Sequence, residues 1–170
     1  SITINTDTDT QGMYDKIKDF LSEYNSLINE LSTLYNAESA SKYEPLTDDQ
    51  KKEMSESEIE KWETKIKDSI LRKDSTIGGV MNAMTSAMME TYEINGKTYS
   101  LGSFGIQTLG YLNAAKNQNY AYHIDGDSED DVTSGKTDKL LDMITNEPEV
   151  VEEFMKNLMT DLYKALDEKM

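Results

Sequence analysis

From Met13 to Tyr35 the apolar residues step by threes and fours: Met13, Ile17, Phe20, Leu21, Tyr24, Leu27, Ile28, Leu31, Leu34 and Tyr35. A helix of 3.6 residues per turn brings such positions onto one face, so the spacing predicts a long amphipathic helix close to a coiled-coil seam. Thr8 and Gln11 stand at capping-box spacing and place its start near Asp9. At ~1.5 Å per residue the rod is roughly 35–40 Å long. A rod of that length cannot bury a narrow apolar edge on itself. It needs partner helices.

The sequence supplies them. Pro45 and the Ser-rich stretch before it break the pattern between Glu38 and Pro45. Thr47 with Gln50, and Ser55 with Glu58, then have capping-box spacing, and the second opens a charged helix ending near Arg72. Its apolar edge is Ile59, Trp62, Ile66 and Ile70. Asp74 caps a further helix whose face holds Ile77, Val80, Met81, Met84, Ala87 and Met88. Gly78 and Gly79 in its first turn cost helix stability and admit the close approach of another backbone.

The period then changes. Tyr92 to Tyr99 alternates around Asn95-Gly96. A type I′ turn needs positive φ at both central residues, so Asn-Gly predicts a hairpin. Leu101 to Leu112 is expected as a compact buried turn, and Tyr120 to Ile124 as one more short strand. An acidic loop follows from Asp125 to Lys136. Two helices close the chain. One begins at Asp138 with Leu140, Leu141 and Ile144 inward. The other has Pro148 in its first turn, Asn146 as its cap, and the stripe Val151, Phe154, Met155, Leu158, Leu162 and Leu166. The expected fold class is mainly α (α+β): an antiparallel helical bundle or coiled coil with a small antiparallel β-hairpin or sheet inserted. Leu27, Leu31, Leu34, Phe154, Leu158 and Leu162 form the expected helix-packing and assembly stripe, with Leu162 and Leu166 as an open seam at the end.

Asp and Glu outnumber Lys and Arg 33 to 17, a net charge of -16. Such a surface repels phosphate backbones and anionic lipid, which excludes nucleic acid and membrane as expected partners. No window approaches 18 consecutive apolar residues. Cysteine is absent, which suits a reduced cytosol and equally an exported protein that travels unfolded. The start carries no pattern of a secretory leader. Ser1 to Asn5 alternates like the tail of a strand, so the chain is expected to be a piece of something longer.

Chemistry finds little to work with. The densest carboxylate group is Asp125, Asp127, Glu129 and Asp131, at alternating positions in one loop, a pattern that suits Ca²⁺. An EF-hand loop beginning at Asp125 needs Gly at Asp130 and a carboxylate at Lys136, and fails at both. A solvated acidic loop is the preferred reading, so no metal or cofactor is expected. His123 is the only histidine, which excludes multi-His metal sites and most Ser-His-Asp schemes. The methionines fall at core spacing, as in Met81, Met84 and Met88, and are expected to pack. Gly102-Ser103-Phe104-Gly105 lacks the Lys-Ser/Thr that would follow in a phosphate loop. No enzyme is expected.

Several phrases, in this order, resemble the C-terminal region of the flagellar hook-associated protein 2 family, the filament caps (the FliD family). Ile17 to Ile28, with Phe20 and the run Tyr24-Asn25-Ser26-Leu27-Ile28, is similar to the helix that leaves the family's variable outer domains. Pro45 to Glu56, with Ile59 to Glu63, resembles an insert of Firmicutes-type caps. Leu71 to Ile77 resembles the start of the next helix, and Leu101-Gly102-Ser103-Phe104-Gly105-Ile106 the family's Gly-containing turn. Tyr122 to Asp127, Asp138 to Leu140 and Asn146 to Phe154 resemble its closing strand and helices.

The resemblance implies a strand remnant of a preceding outer domain at residues 1–8. It implies a helical inner domain at 9–170, with its β element at about 91–124. It further implies a non-enzymatic protein that caps the flagellar filament tip and promotes ordered flagellin polymerisation. The implied partners are flagellin and other copies of the cap, and the implied location is extracellular, reached without a cleaved signal peptide. The alternatives are a surface adhesin or binding module at the filament tip, and a Ca²⁺-stabilised secreted domain.

Overall fold

Residues 6–169 are described by the computed structural model. Among them α1 (Thr6–Tyr35) is the longest element. Its 30 residues make a rod of about 45 Å. The helix begins before the start expected near Asp9, and the Gln11 amide donates to Asp15 and not to a cap. Thr and Asp fill every position from 6 to 10, so a capping pattern there does not select one start. Of the expected strand remnant, residues 6–8 are the first turn of α1, and residues 1–5 lie outside the described residues.

One line of α1 is buried: Tyr14, Ile17, Leu21, Tyr24, Ile28 and Ser32. Against it packs α4 (Ser75–Met88), through Met81, Met84, Ala87 and Met88. The Lys73 N–H donates to Tyr35 O at 2.9 Å, joining the end of α1 to the start of α4, so the two helices run antiparallel. Gly78 permits this junction. A Cβ there would stand 3.0 Å from the Tyr35 ring, so the close neighbour is an aromatic side chain and not the backbone expected from sequence. α6 (Pro148–Lys169) lies along the other side of α4 and buries Val151, Phe154, Met155, Leu158 and Leu162. α5 (Lys139–Asn146) closes the end of the bundle against α1 and α6.

Between α1 and α4 the chain makes an arm of α2 (Asp48–Lys52) and α3 (Glu56–Ser69). Both expected capping boxes form, Thr47 with Gln50 and Ser55 with Glu58. Neither helix buries a residue. The apolar edge of α3 is only half covered, by Tyr43 against Trp62 with ring centroids 4.7 Å apart, and Ile70 stays exposed. Arg72 ties the arm to the bundle by donating to Ala37 O at 2.7 Å.

Two small antiparallel sheets fill the segment after α4. β1 (Tyr92–Ile94) and β2 (Lys97–Tyr99) form the Asn-Gly hairpin, with Tyr92 opposite Tyr99. Asn95 and Gly96 have φ of 53° and 79°, as a type I′ turn requires. β3 (Ile106–Thr108) pairs with β4 (Tyr122–Ile124), with Ile106 opposite Ile124. A 3-10 turn at Leu101–Phe104 links the sheets and puts Phe104 in the core, 4.8 Å from the Phe154 ring. The Tyr92 hydroxyl donates to Asp161 at 2.6 Å, pinning the hairpin to α6.

Three further expectations fail here. Leu101 to Leu112 is not one buried turn, because the chain reaches the surface after β3 and leaves Tyr111 and Leu112 exposed. Leu141 is exposed, since only the line of Leu140 and Ile144 meets the core. Asn146 does not cap α6, because it is the last residue of α5 and its amide donates back to Asp142 O. Pro148 does open α6.

Candidate assembly surfaces

The first half of α1 and the face of α6 leave a groove of about 820 Å³ between them. Met13, Ile17, Val151, Met155 and Met159 line it, with Tyr163 at its edge. Gly12 widens it, since nothing stands within 4 Å of where a Cβ would be. The rim mixes signs: Asp9 and Glu152 with Lys16 and Lys156. This geometry offers apolar contact with a polar border, the anatomy of an interface.

The expected stripe divides in the structure. Phe154, Leu158 and Leu162 are buried between α6 and its neighbours, so Leu162 belongs to the core and not to an open seam. Leu31 is half-buried against the core, and Leu34 is half-buried. Leu27 is 41% exposed and does not join the packing. It shares a helix edge with Phe20, Leu31 and Leu34, about 100° from the line through Ile28, and nothing covers that edge at Leu27.

The acidic loop is built against α1. Lys18 donates to Asp127 at 2.9 Å and to Glu129 at 2.8 Å, and the bond to Glu129 leads in raising its own pKa. Asp125 accepts from the Gln107 amide and lies 3.7 Å from Lys136. Asp131 stays exposed. Three of the four candidate metal ligands are thus engaged, Asp125 with Gln107 and Lys136 and both Asp127 and Glu129 with Lys18, and no group of three or more acidic, His or Cys side chains among the described residues is arranged to hold a metal. His123 Nδ1 pairs with Asp130. Burial pushes the Asp130 carboxyl up, but the bonds from His123 and the Val132 N–H outweigh it and leave the pKa lowered.

Inside the loop, the buried Thr133 hydroxyl donates to Ile124 O at 2.9 Å, and Gly126 N donates to Thr133 O at 2.9 Å. Asn25 occupies the outer edge of β4. Its amide accepts from Tyr122 N at 2.7 Å and donates to Tyr122 O at 2.8 Å, doing what a neighbouring strand would do. Sequence reasoning missed Lys18, Asn25, Gly126 and Thr133. A signal existed for the first two: Lys18 and Asn25 stand seven residues apart beside the apolar stripe, and the structure turns Lys18 toward the loop and Asn25 toward β4.

The described residues form a helical bundle with an open apolar groove and ion-paired loops. A family model described as the C-terminus of flagellar hook-associated protein 2 matches residues 1–170, and the chain belongs to that family. The flagellar hook-associated protein 2 of Halalkalibacterium halodurans is 33% identical over 106 residues, 62% of this chain. The match takes in 20% of that relative, so the chain spans a small part of such a protein. No solved structure matches. No helix among the described residues is long and apolar enough to cross a membrane.

Proposed function

We infer that this chain is the inner, C-terminal module of a flagellar filament cap, a non-enzymatic protein at the extracellular tip that promotes ordered flagellin polymerisation. The observation that carries this is the family match over the whole chain. The structure supports it in kind. Buried stripes on α1, α4 and α6 make a stiff bundle. The open α1–α6 groove gives it an apolar face for helices of the assembly. The acidic exterior keeps contacts with flagellin reversible, since surface charge governs encounter and register more than tight holding. The module works by binding and release, and neighbouring cap subunits and flagellin are its partners.

Deleting the full-length gene in its host tests this, with filaments followed by microscopy and flagellin assayed in the medium. Short or absent filaments with monomeric flagellin in the medium, restored by the intact gene, are the expected result. Filaments of normal length without leakage reject the capping role, and loss of surface attachment alone makes the protein an adhesin.

A further inference from the structure

Asn95-Gly96 is the only Asn-Gly pair in the chain, and Asp125-Gly126 the only Asp-Gly pair. Either pair can react with itself, because the nitrogen that follows the side chain belongs to a residue with no Cβ to hinder approach. Their surroundings differ. At the hairpin tip Asn95 and Gly96 are exposed, and nothing stands within 4 Å of where a Gly96 Cβ would be. Neither the Asn95 amide nor the Gly96 N–H has a hydrogen-bond partner among the described residues, so nothing fixes the Asn95 rotamer or occupies the nitrogen. In the acidic loop both groups are held. Gly126 N donates to Thr133 O at 2.9 Å, and the Asp125 carboxylate accepts from the Gln107 amide at 3.1 Å.

We propose that Asn95-Gly96 is a self-modifying site, at which the Asn95 amide converts with time to aspartate and isoaspartate. Base removes the Gly96 amide proton, and the nitrogen attacks Asn95 Cγ. A new C–N bond closes a cyclic imide, the bond from Cγ to Nδ2 breaks, and Nδ2 leaves as ammonia. Water then opens the ring at either carbonyl, giving aspartate or, where the main chain is rerouted through the side chain, isoaspartate. The balance is an amide and water becoming a carboxylate and ammonium.

The two products act differently. Aspartate keeps the turn, since Asp-Gly suits the same type I′ geometry. It also puts a carboxylate into residues 94–124, which contain no Asp or Glu. Isoaspartate lengthens the main chain inside a two-residue turn, so Ile94 and Lys97 lose their pairing. The hairpin buries Ile94 and Tyr99 and bonds the Tyr92 hydroxyl to Asp161, so this form loosens its hold on α6.

The test incubates the folded chain in mildly alkaline buffers and follows its peptides by mass spectrometry, with isoaspartate detected by an isoaspartyl methyltransferase. The peptide holding Asn95 should become acidic first, and faster as pH rises, because the attacking nitrogen must lose its proton. Asp125-Gly126 should stay aspartyl, and the aged protein should melt below the fresh one. Asn95→Gly keeps a turn-forming Gly-Gly pair and removes the reacting amide, so it should hold its own melting temperature through the same incubation. Asn95→Gln must close a larger ring and should react at least ~10-fold more slowly, a barrier higher by about 1.4 kcal/mol. The proposal is overturned if Asn95 keeps its amide until urea unfolds the chain, or if Asn36 or Asn117 reacts first. It is equally overturned if Asp125-Gly126 isomerises as fast, or if aged Asn95→Gly loses as much stability as the aged parent.

Discussion

Replacing Gly126 with Ala adds one methyl group to a backbone that has no room for it. Gly126 has φ +85°, and a Cβ built there stands 2.6 Å from Asp138 Cβ, 2.7 Å from its Cα and 2.8 Å from its N. The left-handed conformation alone costs an L-residue about 1–2 kcal/mol. Overlap with main-chain atoms cannot be relieved by turning a side chain, and overpacking of this kind adds about 1–3 kcal/mol. The displaced residue is also the N-cap of α5, whose carboxylate accepts from Leu141 N. The expected loss is therefore about 2–5 kcal/mol, or roughly 5–20 °C in Tm for a chain of this size.

Two other glycines separate the contributions. Gly96 has φ +79° with nothing within 4 Å, so Gly96→Ala carries strain without overlap and should lose about 1–2 kcal/mol. Gly135 has neither, so Gly135→Ala should leave stability unchanged or raise it by about 0.4–1 kcal/mol through the unfolded chain. Thermal and urea melts by circular dichroism measure all three. If Gly126→Ala loses no more than Gly96→Ala, the close packing of the acidic loop on Asp138 is wrong.

Ile28 and Leu27 are neighbours in sequence on different faces of α1. Ile28→Ala should cost about 2–5 kcal/mol and Leu27→Ala less than about 1, measured by urea melts, and equal losses would contradict the observed face. Melting with Ca²⁺ and with EDTA should give the same Tm, because Asp125, Asp127 and Glu129 are already engaged by Gln107 and Lys18; a reproducible rise with Ca²⁺ would reveal a bound ion. Burial pushes the phenols of Tyr14, Tyr24 and Tyr92 well above their usual value, helped by Asp138 and Asp127 at Tyr14, Tyr122 at Tyr24, and Asp161 at Tyr92. A raised folded pKa gives stability that is complete below the unfolded value near ~10 and is lost as pH climbs from there toward the folded value. Tm should thus hold to about pH 10 and then fall, less steeply in Tyr24→Phe, and a flat profile to about pH 12 would refute the account.

The parts of this protein legible in its sequence are those set by neighbours along the chain. Helical spacing, the caps at Thr47, Ser55, Asp74 and Asp138, and the Asn95-Gly96 turn depend on groups within four residues of one another. The chain's own residues also carried its family resemblance, phrase by phrase. Where the acidic loop goes was not legible. Asp127 meets Lys18 across 109 positions, and the carboxylates that alternate like metal ligands in sequence form no metal-holding group among the described residues.

Which edge of α1 is covered was likewise decided by tertiary structure. Apolar residues span more of the helix than one seam, and α4, α5 and β4 together bury the line of Ile17, Leu21, Tyr24 and Ile28 while Leu27 stays in water. A hydrophobic pattern states how much surface must be buried. Only the packing of helices against one another chooses which part is, because each choice depends on side chains contributed from far along the chain.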